Sequence, residues 1–158
     1  MSNELEKRMR ESIRLAVENV QSGQGGPFGA IVVKDGQIIG RGSNQVTTLN
    51  DPTAHAEVQA IRDACRHLNH FQLTGCEIYT SCEPCPMCIG AIYWARPDAV
   101  YYACSKEDAA AVGFDDQFIY EQIALPMERR SIVMKQLKPD EYKLPFEQWA
   151  VSEIKKEY

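Results

Sequence analysis

Two short stretches, far apart in the chain, hold it to one kind of fold. His55-Ala56-Glu57 supplies an imidazole and a carboxylate, and Cys82-Glu83-Pro84-Cys85-Pro86-Met87-Cys88 supplies three thiols with Cys85 and Cys88 three residues apart. Imidazole and thiolate are metal ligands. If His55, Cys85 and Cys88 grip one cation, the segments that carry them must be neighbours in space. Three protein ligands leave one tetrahedral position open, which separates a metal centre that does chemistry from one that only ties the chain.

The flanking sequence says what carries these stretches. Residues 3 to about 21 place Leu5, Met9, Ile13, Ala16, Val17 and Val20 at spacings of three and four, the pattern of an amphipathic helix. Asn3 suits its N-cap, and Gly23, Gly25 and Gly26 end it. Those glycines follow a helix and precede a strand, the reverse of a phosphate-binding loop, so they read as a turn. Residues 28–34 and 37–43 read as two strands joined by Asp35-Gly36, a favoured hairpin turn. Residues 44–53 read as a polar loop closed by Asp51-Pro52. Thr53 suits the cap of a helix running to about residue 68, with His55 and Glu57 in its first turn and Val58, Ile61, Ala64, Cys65 and Leu68 on one face.

Residues 77–81 read as a buried strand, and Pro84 and Pro86 bracket the start of a helix from 85 to about 95. Pro97 closes it, and 99–103 is the next strand. Residues 105–116 read as irregular, 117 to about 123 as a short helix, 131–137 as a final strand and 144–156 as a last amphipathic helix. Strands alternating with helices predict a layered α/β domain with a partly parallel sheet.

Bulk properties narrow the function classes. A chain of 158 residues is one ordinary domain with room for a core. Its formal charge is −5, with no Lys/Arg run longer than two, which argues against a nucleic-acid partner held through phosphates. No apolar run approaches the ~18 residues of a membrane span, and residues 1–7 lack the character of a leader, so a cytoplasmic location and no membrane partner are expected. Cys65, Cys76 and Cys104 read as small core hydrophobes. His67 and His70 read as solvated or capping residues, and Trp94 and Trp149 as core or interface.

The site chemistry follows from residue type. Cys85 and Cys88 at a helix N-terminus gain thiolate character from the dipole. Glu57, two residues from His55, is placed to work as a general base and acid beside a bound zinc rather than as a further ligand. Such a centre hydrolyses an sp² carbon lying between a ring nitrogen and an exocyclic amine, as at cytosine C4, adenine C6 or guanine C2. The competing reading is a structural zinc held by His55, Cys82, Cys85 and Cys88 in a non-catalytic interaction module, which leaves Glu57 without a task. With Glu57 engaged instead, Cys82 is a buried thiol beside the site.

His-x-Glu followed by Pro-Cys-x-x-Cys is the signature of the zinc nucleobase deaminases. Around it stand Gly25-Gly26-Pro27-Phe28-Gly29-Ala30, Asn50-Asp51-Pro52-Thr53-Ala54-His55-Ala56-Glu57, Tyr79-Thr80-Ser81-Cys82-Glu83-Pro84-Cys85-Pro86-Met87-Cys88, Ala91-Ile92-Tyr93-Trp94-Ala95-Arg96-Pro97, Gly113-Phe114-Asp115-Asp116 and Lys155-Lys156-Glu157-Tyr158. Taken together, they resemble the bacterial guanine deaminases of the cytidine-deaminase-like family. The resemblance implies a three-layer α/β/α fold with a mixed five-stranded sheet. It also implies one Zn2+ per subunit on His55, Cys85 and Cys88, and a homodimer. Residues 1–158 would form one deaminase domain, with about 140–158 crossing to the partner subunit. The implied reaction converts guanine to xanthine and ammonia, with guanosine and then tRNA adenosine as alternative substrates. Glu57 and Asp116 are the implied catalytic carboxylates, Asp115 being the less suited of the acidic pair. Asn44, Phe28, Ala56 and Tyr158 are the implied substrate contacts.

Overall fold

The computed structural model describes residues 2–158, which divide into two compact units at Asp116/Gln117. The first unit holds α1 (Ser2–Gln21), β1 (Gly29–Lys34), β2 (Gln37–Ser43), α2 (Val46–Leu49), α3 (Ala56–Leu68), β3 (Cys76–Cys82), α4 (Pro86–Ala95), β4 (Ala99–Cys104) and α5 (Lys106–Ala110). Its sheet runs β2-β1-β3-β4, with β1 antiparallel to β2 and β3, and β3 parallel to β4.

Alternation along β1 and β3 divides the core in two. Ile31, Val33 and Tyr79 point to one face, where Leu5, Met9 and Leu15 of α1 cover them. Ala30, Val32, Cys76 and Ile78 point to the other, against Ala56, Ala60 and Ala64 of α3 and Ile92 and Ala95 of α4. Both faces of the central strands are therefore buried, as expected where helices cover a sheet on both sides. The result is a three-layer α/β/α arrangement. Asp35 and Gly36 both have positive φ, 49° and 78°, which a tight hairpin turn of this hand requires.

The seat of α3 on β2 depends on the absence of side chains. A Cβ at Gly42 would lie 2.2 Å from the Ala56 carbonyl oxygen and 2.4 Å from the Ala60 nitrogen. One at Gly40 would lie 2.6 Å from the Ala60 carbonyl oxygen. Three alanines on α3 face two glycines on β2, so the helix start rests directly on the strand.

Several expectations need correction. The sheet has four strands, not five, and residues 131–137 form no strand. They run outside regular pairing, with Ile132 and Leu137 exposed. Asn3 lies within α1, which begins a residue earlier, so it is no cap. Residues 46–49 form a short helix inside the polar loop, and residues 106–110 form another, closed by a Ser105–Asp108 capping box. Thr53 does not cap α3: its backbone and hydroxyl both donate to Asp51 Oδ1, which tightens the loop instead. The N-cap of α3 is His55 itself. Cys104 is exposed rather than a core residue, because β4 is an edge strand whose last residues lie at the surface; Cys65 is only half-buried. Trp94 and Trp149 are exposed, so neither is core.

The second unit comprises α6 (Gln117–Ala124), a 3-10 turn (Met127–Arg129) and α7 (Leu144–Val151). The last helix is shorter than its apolar periodicity suggests, stopping at a Ser152 cap. Arg130 gathers the end of α6, donating to the carbonyls of Gln122, Ile123 and Leu125.

Candidate active site

Two helix starts meet on one face of the sheet. His55, at φ −68° and ψ 156°, is the extended residue before α3, and Cys85, at φ −69° and ψ 169°, is the extended residue before α4. Pro86 occupies the first turn of α4, where its missing N–H costs nothing. This turn brings Cys88 back beneath Cys85. His55 Nδ1 lies 3.5 Å from the Cys85 sulfur and 3.5 Å from the Cys88 sulfur. All three ligand atoms fall within 4.8 Å of one another.

The donor set and spacing fit zinc. Tetrahedral bonding at ~2.05 Å to nitrogen and ~2.3 Å to sulfur separates such atoms by roughly 3.6 Å, close to the observed edges. The neighbouring Cys88 thiol, and then His55, lower the Cys85 pKa to about 4, while the Cys85 sulfur and burial push Cys88 well above the thiol range. The contact with Cys85 raises His55 above its ordinary value. Anionic sulfur at two converging helix N-termini is a ready cation site.

Cys82 stands outside this cluster. Its sulfur donates to the Ser105 carbonyl at 3.7 Å, and burial pushes its pKa up to about 12. Among the described residues the metal-competent group is His55, Cys85 and Cys88. The four-ligand structural reading therefore fails on geometry.

Glu57 is buried at 6% exposure in the first turn of α3, with Oε2 3.4 Å from the Cys88 sulfur and Oε1 3.3 Å from the Thr80 hydroxyl. Burial raises its pKa above the ordinary carboxylate range. A buried carboxyl group in contact with one of the ligand sulfurs is placed to exchange protons at the metal centre.

The remaining candidates are placed unevenly. Asn44 follows β2 and is held through its backbone and its Oδ1. Its N–H donates to the Phe28 carbonyl at 3.2 Å, its carbonyl accepts from Asn19 Nδ2 at 2.9 Å, and its Oδ1 accepts from the Val46 N–H at 3.2 Å. The next residue, Gln45, donates its N–H to the Ala54 carbonyl at 2.9 Å, which ties this corner to the residue preceding His55. Ala56 is fully buried and its carbonyl lies under Gly42. Phe28 is half-buried and meets Phe114 edge to face, with ring centroids 5.0 Å apart. Asp116 is half-buried; desolvation raises its pKa and the Cys85 charge adds to this. Asp115 is exposed. Tyr158 is an exposed residue of the second unit.

Two residues missed by sequence reasoning touch this machinery. Thr80 contacts Glu57, and Asn19 holds both the Asn44 and Gly26 carbonyls. Strand alternation carried a signal for Thr80, a polar residue in register with Cys76 and Ile78 on the buried α3 face. Asn19 gives no such signal, its partner Asn44 lying 25 residues further along the chain.

Comparison with known proteins agrees with this geometry. Residues 2–104 match the family described as the cytidine and deoxycytidylate deaminase zinc-binding region. The guanine deaminase of Bacillus subtilis is 57% identical over 150 residues, covering 95% of this chain and 96% of that one. Its crystal structure superposes with a TM-score of 0.95 over 97% of this chain and 98% of that one. A guanine deaminase structure from Nitrosomonas europaea gives a TM-score of 0.66 at 34% identity, covering 69% of this chain and 63% of that one. The tRNA-specific adenosine deaminase of Aquifex aeolicus is 51% identical, over only 49% of this chain and 51% of that one. Motif, site geometry and near full-length similarity agree: the chain belongs to the cytidine and deoxycytidylate deaminase zinc-binding family.

Proposed function

We propose that the protein is a zinc-dependent guanine deaminase, converting guanine and water to xanthine and ammonia. The observation that carries this is a His55, Cys85 and Cys88 cluster with a buried Glu57 against it, in a chain similar along nearly its whole length to a guanine deaminase. Zinc, when bound by these three residues, supplies Lewis acidity that would lower the pKa of a water to roughly 7.

The chain's own groups do the proton work. Glu57 takes a proton from the attacking water, delivers it to the ring nitrogen beside C2, and takes part in protonating the departing amine. Asp116 faces the exocyclic amine, a donor that a carboxylate suits, and acts as a second proton carrier. Asn44, with Oδ1 occupied by Val46, keeps its Nδ2 hydrogens for an acceptor on the base. Phe28 and the start of α3 at Ala56 supply apolar walls for a flat ring. The formal charge of −5 disfavours tRNA as the substrate.

The single deaminase domain works as a homodimer in this reading, with residues 140–158 crossing to the partner subunit and Tyr158 closing the partner's site. What supports it is that Phe146, Val151 and Ile154 of that unit are all exposed, apolar side chains that a partner subunit would cover. No helix among the described residues is long and apolar enough to cross a membrane.

The test is direct. Zinc-replete protein is incubated with guanine, guanosine, adenine and cytosine while ammonia and the product base are followed. Guanine should be turned over fastest; preference for guanosine or adenine would overturn the assignment. For the crossing, subunits inactivated at Glu57 are mixed with subunits lacking Tyr158. A mixed dimer has one intact composite site, so partial recovery is expected, and none would mean that the tail acts on its own subunit.

A further inference from the structure

We propose that Thr80 is a positioning residue for this reaction, its hydroxyl holding the Oε1 end of Glu57 against the His55-Cys85-Cys88 cluster. The inference rests on the deaminase reading above and adds to it a residue outside the signature motif.

Three observations carry it. Thr80 is 1% exposed, and its Oγ1 lies 3.3 Å from Glu57 Oε1 and 3.0 Å from the Cys82 carbonyl oxygen. Its backbone sits in β3, between Ala30 of β1 and Tyr102 of β4. The hydroxyl is therefore fixed to the centre of the sheet, whereas Glu57 reaches the cluster on three rotatable bonds. The other contact of Glu57 is different in kind. Cys88 meets Oε2 through its sulfur at 3.4 Å, and a thiol is a weak donor. Among the described residues, Thr80 is the hydroxyl donor within hydrogen-bond reach of the carboxylate. A hydroxyl suits the place because it has one donor and two acceptor positions. Its one hydrogen lies within reach of both the Glu57 carboxylate and the Cys82 carbonyl.

The arrangement also places the hydroxyl between two parts of the site. Cys82 ends β3 and leads through Glu83 and Pro84 into Cys85. Thr80 thus couples the strand end that delivers one metal ligand to the carboxylate on the helix that delivers another. Precise placement of a catalytic group by a rigid neighbour is worth on the order of 10²-fold in rate for a displacement near 1 Å.

The experiment compares zinc-loaded wild type with Thr80→Val and Thr80→Ser. Valine keeps the shape and the strand preference while removing the hydroxyl; serine keeps the hydroxyl. Thr80→Val should lower kcat for guanine on the order of 10- to 10²-fold with KM nearly unchanged, at full zinc content and with the cobalt-substituted spectrum of wild type. Thr80→Ser should stay within about threefold of wild type, the hydroxyl being retained. Wild-type kcat in Thr80→Val, or Thr80→Ser as slow as Thr80→Val, would overturn the proposal. Crystal structures of the three zinc-loaded proteins give a readout independent of turnover. The Glu57 carboxylate should leave its place in Thr80→Val and keep it in Thr80→Ser, and an unmoved carboxylate would overturn the proposal. Should wild type fail to turn over guanine, the functional reading falls while these structures still decide the role of Thr80. Thr80→Ala replaces the valine variant if that one does not fold.

Discussion

His55 and Cys85 occupy the same position on two different helices: each is the last extended residue before the first turn, and His55 Nδ1 lies 3.5 Å from the Cys85 sulfur. Two N-terminal dipoles thereby converge on one point, where the first-turn N–H groups of α3 and α4 are not used within their own helices. The metal centre is consequently a joint between α3 and α4, both of which pack on the same face of the sheet.

From that joint comes the first prediction. Zinc bound by the folded protein and not by the unfolded chain adds about 4 kcal/mol of stability at a free concentration near a thousandfold above Kd. Chelation should lower the Tm by several degrees, and Cys85→Ser should sit near the chelated wild type whether or not zinc is supplied. Calorimetry with and without chelator checks this. A Tm indifferent to chelation would mean that the three residues do not hold a metal in solution.

Glu57→Gln keeps shape and volume while removing the ability to carry a proton. Zinc stoichiometry by mass spectrometry should stay at wild-type level, and kcat should fall by roughly 10²- to 10⁴-fold. Turnover close to wild type would move the proton-transfer role to another group, Asp116 being the next to test.

The site was legible in the sequence because its chemistry is local. His55, Glu57, Cys85 and Cys88 lie in two short runs, and the proline at the start of α4 announces the helix that presents the sulfurs. The glycines that allow those runs to meet were not legible. Gly40 and Gly42 read as ordinary strand residues, since nothing in their neighbourhood tells that α3 lies on them. Thr80 and Asn19 were hidden for the same reason, their partners being 23 and 25 residues away. The expected strand at 131–137 failed differently. Its apolar run Ile132-Val133-Met134 is real, yet a strand needs an edge to pair with, and an apolar run does not say whether the chain offers it one.

Gly42→Ala tests the seat of α3. The new Cβ would meet backbone atoms of Ala56 and Ala60 at 2.2 and 2.4 Å, and backbone cannot swing aside as a side chain can. The helix start must lift, at a cost of at least about 1–3 kcal/mol. Because His55 immediately precedes that start, zinc affinity should weaken as well. Urea unfolding and a competitive zinc titration report the two effects separately. Unchanged stability would mean that the strand yields more easily than the close packing implies.

Asn19 links α1 to the corner that holds Asn44. Its Nδ2 donates to the Gly26 and Asn44 carbonyls at 2.8 and 2.9 Å, and the residue is buried. Asn19→Ala removes both bonds and leaves the Asn44 carbonyl short of a donor, the Gly26 carbonyl keeping the Phe28 N–H, for a loss of about 1–3 kcal/mol. KM for guanine should rise while zinc content holds, since the metal ligands lie on other elements. In the double variant with Asn44→Ala, KM should match that of Asn44→Ala alone, whereas stability losses need not. Additive effects on KM would show Asn19 acting independently of Asn44.

Glu11 gives the pH dependence its clearest sign. Its carboxylate bonds Arg14 at 2.7 and 2.8 Å and lies 3.6 Å from Arg41 Nε on β2, so it ties α1 to the sheet as well as to itself. The Arg14 hydrogen bonds, and then the charges of Arg14 and Arg41, lower its pKa below the ordinary carboxylate value. As pH falls, the unfolded chain takes up the proton first, near pH ~4.3. The stabilisation is therefore whole above that point and disappears as pH drops through the lower, folded-state value. With Glu11 partly exposed its size is modest, about 0.5–1 kcal/mol at neutral pH. Glu11→Gln should thus unfold at lower urea than wild type at pH 7 and converge on it in acid, both proteins being compared after chelation so that metal release does not mask the difference. A gap that persisted unchanged in acid would trace the loss to packing rather than to charge.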